Sequence, residues 1–373
     1  MLRKILILLS VFHLNSLVAN TNMTLPVVEL DPSLYPDFAD ELDFENFDLA
    51  YERQMKAFKR RPLKGSLKLN GKVRKLSLIK ESLVEFKKLV DITLICLKKE
   101  SKDKCYSDFN NSVYERFQVF VPKLKEGKAF FTGYYSPVLE ASLTKNEEYK
   151  YAIYKYPPNS IAKKYGRTQI HFDQALSGKN LELFFVKDLF DLYLLDVEGG
   201  GRVSYHKNGR FLTQNLSYDG SNSKKFGWIS SYMFDQGYIK DKSISSQREF
   251  LQNNPDKWRE IYSACENVVY FRKSEDEPAG LEDIPLTRDR SAAQDKKYFK
   301  RKGVLTFVKA QRPIIESGKV KQINFSRFFI DQDTGGVIKG EARADLYFGI
   351  GKEGELEANN LKSHGELFYL FLK

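Results

Sequence analysis

The chain has 373 residues, 42% of them apolar, and a formal charge of +11. That is enough for one large domain or two ordinary ones around a sizeable core. Lys and Arg are scattered and no nucleic-acid motif accompanies them, so the charge points to an anionic partner that is not nucleic acid. Aromatic content is high, with 28 Phe and 21 Tyr. It suits a β-rich core or a groove in which ring faces stack on sugar C–H surfaces.

In chain order, Arg3 and Lys4 precede an apolar run from Ile5 to Phe12, and small residues follow up to Ala19. Residues 1–19 read as a secretory signal peptide cut after Ala19. Leu17 lies at the third position before the cut, which leaves an uncleaved anchor open as the one expected membrane contact. No Cys follows the run, so a lipobox is absent and an exported, periplasmic protein without a lipid anchor is expected. Residues 20–36 form an extended lead-in, and the acidic stretch 37–48 leads into a helix ending near Arg61-Pro62. Leu76, Ile79, Leu83, Phe86, Val90, Leu94 and Leu97 recur at steps of three and four, the stripe of a second helix. A third helical piece runs from Cys105 to about Val119. Cys96 and Cys105 could form a bridge or stay as buried thiols, and Cys265 is left over. His13, His171, His206 and His364 are far apart and suggest no metal site; no cofactor is expected.

At Lys128 the texture becomes β-like. Ala129-Phe-Phe-Thr132-Gly133-Tyr134-Tyr135-Ser-Pro137 begins a strand reaching Ala141. Gly133 within it marks a bend or the close approach of a ligand. Tyr134 and Tyr135 alternate faces, so one faces a groove if the other enters the core. Residues 142–274 read as short β-like runs separated by turns, among them Lys187–Asp196 before Glu198-Gly199-Gly200-Gly201-Arg202. The triple Gly could be a hairpin turn; it lacks the Lys-Ser/Thr of a phosphate loop. Helices are expected at Ser246–Asn254 and Pro255–Ala264. Strands are expected at Asn267–Arg272, Val304–Val308, Phe325–Ile330, Leu346–Phe348 and Gly365–Leu372. Between Ile330 and Leu346 lie Asp333-Thr334-Gly335-Gly336 and, beyond Lys339 and Arg343, Asp345. Two carboxylates flanking a Gly-rich turn among aromatics would serve acid–base chemistry on a sugar. Asp before Thr-Gly-Gly is also a common turn former.

The block from Asp333 to Gly349, with Thr132-Gly133-Tyr134-Tyr135-x-Pro137, Tyr218-Asp-Gly-Ser-Asn222 and Arg290-Ser-Ala-Ala-Gln-Asp295, resembles the membrane-bound lytic murein transglycosylase A family over residues 128–373. Relatives usually carry Gln-Gly-Ser-Gly-Arg where this chain has Glu198-Gly-Gly-Gly-Arg202. Many are outer-membrane lipoproteins, an anchor missing here.

The resemblance implies a mainly β protein with N-terminal helices, in which a second β-rich domain is inserted into a double-psi β-barrel. Residues 20–127 would pack on the barrel, 128–140 and 270–373 would form it, and 141–269 would be the insert. It further implies cleavage of the N-acetylmuramic acid–N-acetylglucosamine bond of peptidoglycan, leaving a 1,6-anhydro end. Asp345 would be the acid/base and must start protonated, held so by burial or by a neighbouring carboxylate, for which Asp333 is the natural candidate. Thr132, Tyr134, Tyr135, Glu198, Gly200, Arg202, Asn222, Gly336 and Lys339 would contact the glycan, and Asp295 would be supporting. Other wall enzymes stay open as partners. A water-using glycan hydrolase and a non-catalytic wall-binding protein are the rival readings.

Overall fold

The structure is a computed structural model that describes residues 20–124, 128–316 and 319–373, without the side chains of 315, 316, 319 and 320. The signal peptide expected at 1–19 lies outside the described residues.

The lead-in contributes β1 (Thr21–Thr24), β2 (Val27–Glu29) and α1 (Phe47–Arg60). A hairpin, β3 (Gly65–Leu69) and β4 (Lys72–Lys75), precedes α2 (Leu78–Cys96), α3 (Lys102–Arg116) and β5 (Phe117–Pro122). Of the expected stripe, Ile79, Leu83, Phe86 and Val90 are buried in α2, joined by Leu78 and Leu89; Leu94 is partly buried, Leu76 precedes the helix and Leu97 caps it. Cys96 and Cys105 form a disulfide that ties α2 to α3, and Cys265 is a buried free thiol. These helices dock on the barrel through rings: Phe328 lies 4.5 Å from Phe86 and 4.6 Å from Phe307, centroid to centroid. Arg290 and Asp40, both fully buried, pin the lead-in to the same place at 2.6 Å. A buried charge is tolerable only when paired in this way.

The next segment comprises β6 (Ala129–Ser136), β7 (Val138–Ser142), β8 (Tyr151–Tyr154), α4 (Asn159–Ala162), α5 (Arg167–His171), β9 (Glu182–Val186) and α6 (Leu189–Glu198). Then come β10 (Gly200–Lys207), β11 (Arg210–Ser221), α7 (Ile229–Asp235), α8 (Ile244–Asn253), α9 (Trp258–Ser263) and β12 (Val269–Ser274). The chain ends with β13 (Ser291–Gln294), β14 (Leu305–Glu316), β15 (Lys319–Asp333), β16 (Arg343–Ile350), α10 (Lys352–Asn360) and β17 (Lys362–Leu372).

Six strands close on themselves in the order β14-β15-β13-β16-β6-β17, with β17 pairing back to β14, and β5 and β2 extend from β17. Two neighbouring pairs, β13–β15 and β16–β6, are parallel and the others in the ring antiparallel. This is the double-psi β-barrel. The insert is a separate sheet, β12-β11-β10-β7-β9-β8, with its own apolar core around Phe184, Leu195, Val203, Leu216 and Phe271. Because β7 and β12 pair within it, residues 138–140 and 270–274, expected above in the barrel, lie in the insert's sheet.

One element differs in kind. Lys187–Asp196, read as a β-like run, is helix α6. Its Asp188 side chain accepts from the N–H groups of Phe190 and Asp191, and Gly199 ends it in the left-handed conformation at φ 71°. Those are the N-cap and C-terminal glycine that define a helix. Leu189, Phe190, Leu192, Tyr193, Leu194 and Leu195 are all buried, so the run is apolar on every side and shows no period to read.

Candidate active site

The register of β16 sets the company of Asp345. In one row across the barrel Asp333 pairs with Ala293, Ala293 with Asp345, and Asp345 with Thr132. Directly paired residues share a face, so the two aspartates flank an alanine, about 10 Å apart along the backbone at two strand spacings. A bulge between Ala292 and Ala293 skips Gln332; without it Gln332 would oppose Ala293 and Asp333 would turn away.

Asp345 is 14% exposed and accepts from Arg343 Nε at 3.1 Å. It also accepts a short hydrogen bond from Thr132 Oγ1. Arg343 Nη2 donates to the same Thr132 oxygen at 2.8 Å, and its guanidinium lies 4.8 Å from the Phe130 ring centroid. Asp333 accepts from the Leu281 N–H at 3.0 Å. Burial holds its carboxyl above the usual range, against N–H bonds from Thr334 and Leu281 and the charge of Lys302. Gly280 is required there, since a Cβ would lie 2.7 Å from the Asp333 carboxyl carbon.

The tyrosines divide as the alternation predicts. Tyr134 is partly exposed, its ring 5.2 Å from that of Tyr347. Its hydroxyl is buried close to Asp333 but has no hydrogen-bond partner of ordinary geometry among the described residues. Tyr135 is 4% exposed and belongs to the barrel core, which corrects its expected role as a glycan contact: the strand that presents Tyr134 must bury its neighbour.

The insert meets this face through the end of α6. Glu198 accepts from the Tyr135 N–H, and burial pushes its carboxyl up to about 8, with the charges of Asp345, Glu355 and Asp333 adding to the effect. Arg202 lies on β10 with Nε on Asn215 at 2.8 Å, and its backbone N–H joins Pro137 at 2.8 Å. Gly200 is buried against Leu216 and Pro278, where a Cβ would lie 3.1 Å from the Leu216 carbonyl, so it serves packing and offers no surface to a ligand. Asn222 is corrected likewise. It is 1% exposed, donates to the Tyr165 and Glu266 carbonyls and accepts from the Lys224 and Val268 N–H groups. Its hydrogen-bonding capacity is spent on the backbone.

Asp295 organises the turn after Asp333. It accepts from the N–H groups of Lys297 and Gly340 at 2.9 Å each. Burial opposes its charge, but those bonds and the nearby Lys339 and Lys297 hold its carboxyl below the usual range. Gly336 and Lys339 are exposed on that turn. The sequence reading missed the fully buried pair Lys302–Asp331, 3.0 Å apart, and Glu355 on α10. Asp331 stands two residues before Asp333 on one strand, which was a usable signal; α10 carries no apolar stripe.

Two family profiles match the chain, the MltA specific insert domain over residues 130–272 and the 3D domain over 290–371. Membrane-bound lytic murein transglycosylase A of Vibrio cholerae is 29% identical over 255 residues, 67% of either chain. The protein of that name from Escherichia coli K12 is 29% identical over 249 residues, 65% of this chain and 66% of its own. The matched region thus spans about two thirds of these curated relatives. The crystal structure of E. coli MltA with bound chitohexaose superposes with a TM-score of 0.71 at 23% identity, covering 93% of this chain and 94% of that one. The membrane-bound lytic murein transglycosylase from Agrobacterium tumefaciens gives 0.68 at 19%, covering 93% and 97%. The paired profiles, in the order of insert then barrel, and the full-length likeness of fold agree with the motifs, and the chain belongs to the membrane-bound lytic murein transglycosylase A family of enzymes.

Proposed function

We propose that this protein cleaves peptidoglycan glycan strands between N-acetylmuramic acid and N-acetylglucosamine by intramolecular transglycosylation, with Asp345 as the sole acid/base. The observation that carries the reading is the setting of Asp345: a partly exposed carboxyl on β16, held by Thr132 and Arg343. Asp345 gives its proton to the glycosidic oxygen as the bond to C1 breaks. The carboxylate left behind forms between two donors already in position, so it is stabilised most when its charge appears. It then takes the proton of the C6 hydroxyl on the same muramic residue, whose oxygen closes on C1. No water is added and the acid is restored.

A hydrolase would need an ionised second carboxyl to activate water. Glu198 keeps its proton up to about 8, which favours the intramolecular route at neutral pH. Relatives named as murein transglycosylases, one of them solved with a chitohexaose, support the glycan as substrate. Among the described residues no helix is long and apolar enough to cross a membrane; an exported, periplasmic enzyme delivered by residues 1–19 fits this substrate.

The test is mass spectrometry of muropeptides released from purified sacculi. Anhydro ends, absent when Asp345→Asn is used, are expected. Reducing ends one water heavier, or undiminished clearing by Asp345→Asn with its melting temperature intact, would overturn the reading.

A further inference from the structure

The formal charge is concentrated in one stretch, although Lys and Arg read as scattered along the sequence. Residues 53–80 contain Arg53 and ten further Lys and Arg but no Asp or Glu, so they carry the whole +11 of the chain. All of these cations except Arg53 are exposed. The fold gathers them on the end of α1, the turn after it and the β3–β4 hairpin. Strand β4 is an open edge of the sheet β1-β3-β4, and all four of its residues, Lys72, Val73, Arg74 and Lys75, are exposed. Lys68 stands opposite Val73 on β3, while its neighbours Leu67 and Leu69 turn into the core. Lys300, from far along the chain, joins the same sheet by donating to the Asn22 carbonyl on β1 at 3.3 Å. Few of these charges are neutralised. Lys72 lies 3.8 Å from Glu29, whereas Lys56, Lys59, Lys64, Lys68 and Lys75 make no ion pair among the described residues. Lysines on an edge strand also deter pairing between copies, but that accounts for β4 alone and not for the end of α1 or for Lys300. The face adjoins the site: Arg60 Nη2 donates to the carbonyls of Glu282 and Asp283 at 3.1 and 2.8 Å, and the N–H of the preceding Leu281 holds Asp333.

We propose that this face docks the peptide carboxylates of murein and holds the wall beside the catalytic barrel. The proposal rests on murein being the substrate. The sugars of the glycan offer such a face no charge, but the peptide stems they carry end in carboxylates. Lys is a hydrated point charge on a flexible stem, which suits carboxylates at no fixed spacing. Unneutralised cations raise the local concentration of an anionic partner and speed its arrival. A membrane surface fits less well. Val73 is the only exposed large apolar side chain in residues 53–80, and interfacial binding draws on buried apolar area as well as charge. A nucleic-acid single strand would need stacking rings, and no aromatic of the stretch is exposed.

The experiment compares the full chain with a triple variant, Lys68→Gln, Lys72→Gln and Lys75→Gln combined. Two substrates are used: intact sacculi, and sacculi whose carboxylates have been converted to methylamides. At low salt the triple variant should show a KM for intact sacculi about tenfold higher with kcat unchanged. On the amidated sacculi the two proteins should have the same KM. Arg at all three positions should behave as wild type. An unchanged KM on intact sacculi, or an equal rise on both substrates, would overturn the proposal. So would binding to phosphatidylglycerol vesicles that falls in the variant while its sacculus KM does not move, which would assign the face to a membrane. If the Gln variant fails to fold, wild type alone decides: salt should raise KM for intact sacculi but not for amidated ones, and equal salt dependence on both refutes the docking face. Sedimentation of Asp345→Asn with sacculi, with and without the three substitutions, reads docking apart from cleavage. Wild type that releases no anhydro ends sinks the function, whereas equal sedimentation of the two proteins removes only the docking face.

Discussion

Thr132 and Asp345 stand directly opposite each other across the parallel pair β6–β16, and the hydroxyl of one donates to the carboxylate of the other. The two strands are far apart in the chain and are brought together by barrel closure alone. A hydrogen bond to a charged group contributes about 1.5–3 kcal/mol. Thr132→Val keeps the branched shape, and its turnover should drop about ten- to a hundredfold with little change in melting temperature. Turbidity loss of sacculi and a thermal melt read both. Turnover within twofold of wild type would show that the hydroxyl does not assist the acid.

Tyr134 poses the converse case. Its buried hydroxyl lacks a partner among the described residues, and such a group costs about 1–3 kcal/mol when left unsatisfied. Tyr134→Phe should therefore leave stability unchanged or raise it by about 1 kcal/mol. A lower melting temperature would contradict this.

Lys302 and Asp331 make an ion pair with both side chains at 0% exposure. Removing one partner strands the other charge in the barrel, so Lys302→Met should destabilise by about 3–5 kcal/mol in denaturant titration. Adding Asp331→Leu should recover most of that loss. An additive penalty in the double variant would mean that the pair is not coupled.

His171, on α5, has a buried Nε2 with no partner among the described residues. Burial, then the charge of Arg167, pushes its imidazole down to about 3. It stays neutral in the folded chain while the unfolded chain protonates it near 6.5. Stability is therefore whole above about 6.5 and falls as pH drops toward 3, by up to about 1.4 kcal/mol per unit. Between pH 6 and 4, His171→Leu should lose less stability per pH unit than wild type; equal slopes would place the imidazole in water.

The sequence reading reached the carboxylates but not all of their setting. Asp333 and Asp345 were legible because they bracket a glycine-rich turn between two apolar strands, and α2 because its stripe is one-sided. Helix α6 was read as strand because a segment buried all round has no period, although Asp188 and Gly199 stated its ends. Asn222 and Gly200 were assigned to the glycan by motif alone. Whether a polar group within a motif meets a ligand or a backbone carbonyl depends on contacts such as Tyr165 and Glu266, which sequence order does not reveal. The bulge that aligns Asp333 with Asp345 is likewise a matter of pairing between distant strands.

Strand β17 completes the ring, joining Lys362 to Thr132 on one flank and Tyr369 to Thr306 on the other. The socket of the acid is thus assembled from stretches made early and very late, and such long-range closure is slow. A half-synthesised polypeptide lacks Asp345 altogether, and a finished but unfolded one carries it with no walls around it. Cutting power arrives in a single late step, so the molecule is harmless for as long as it is in transit.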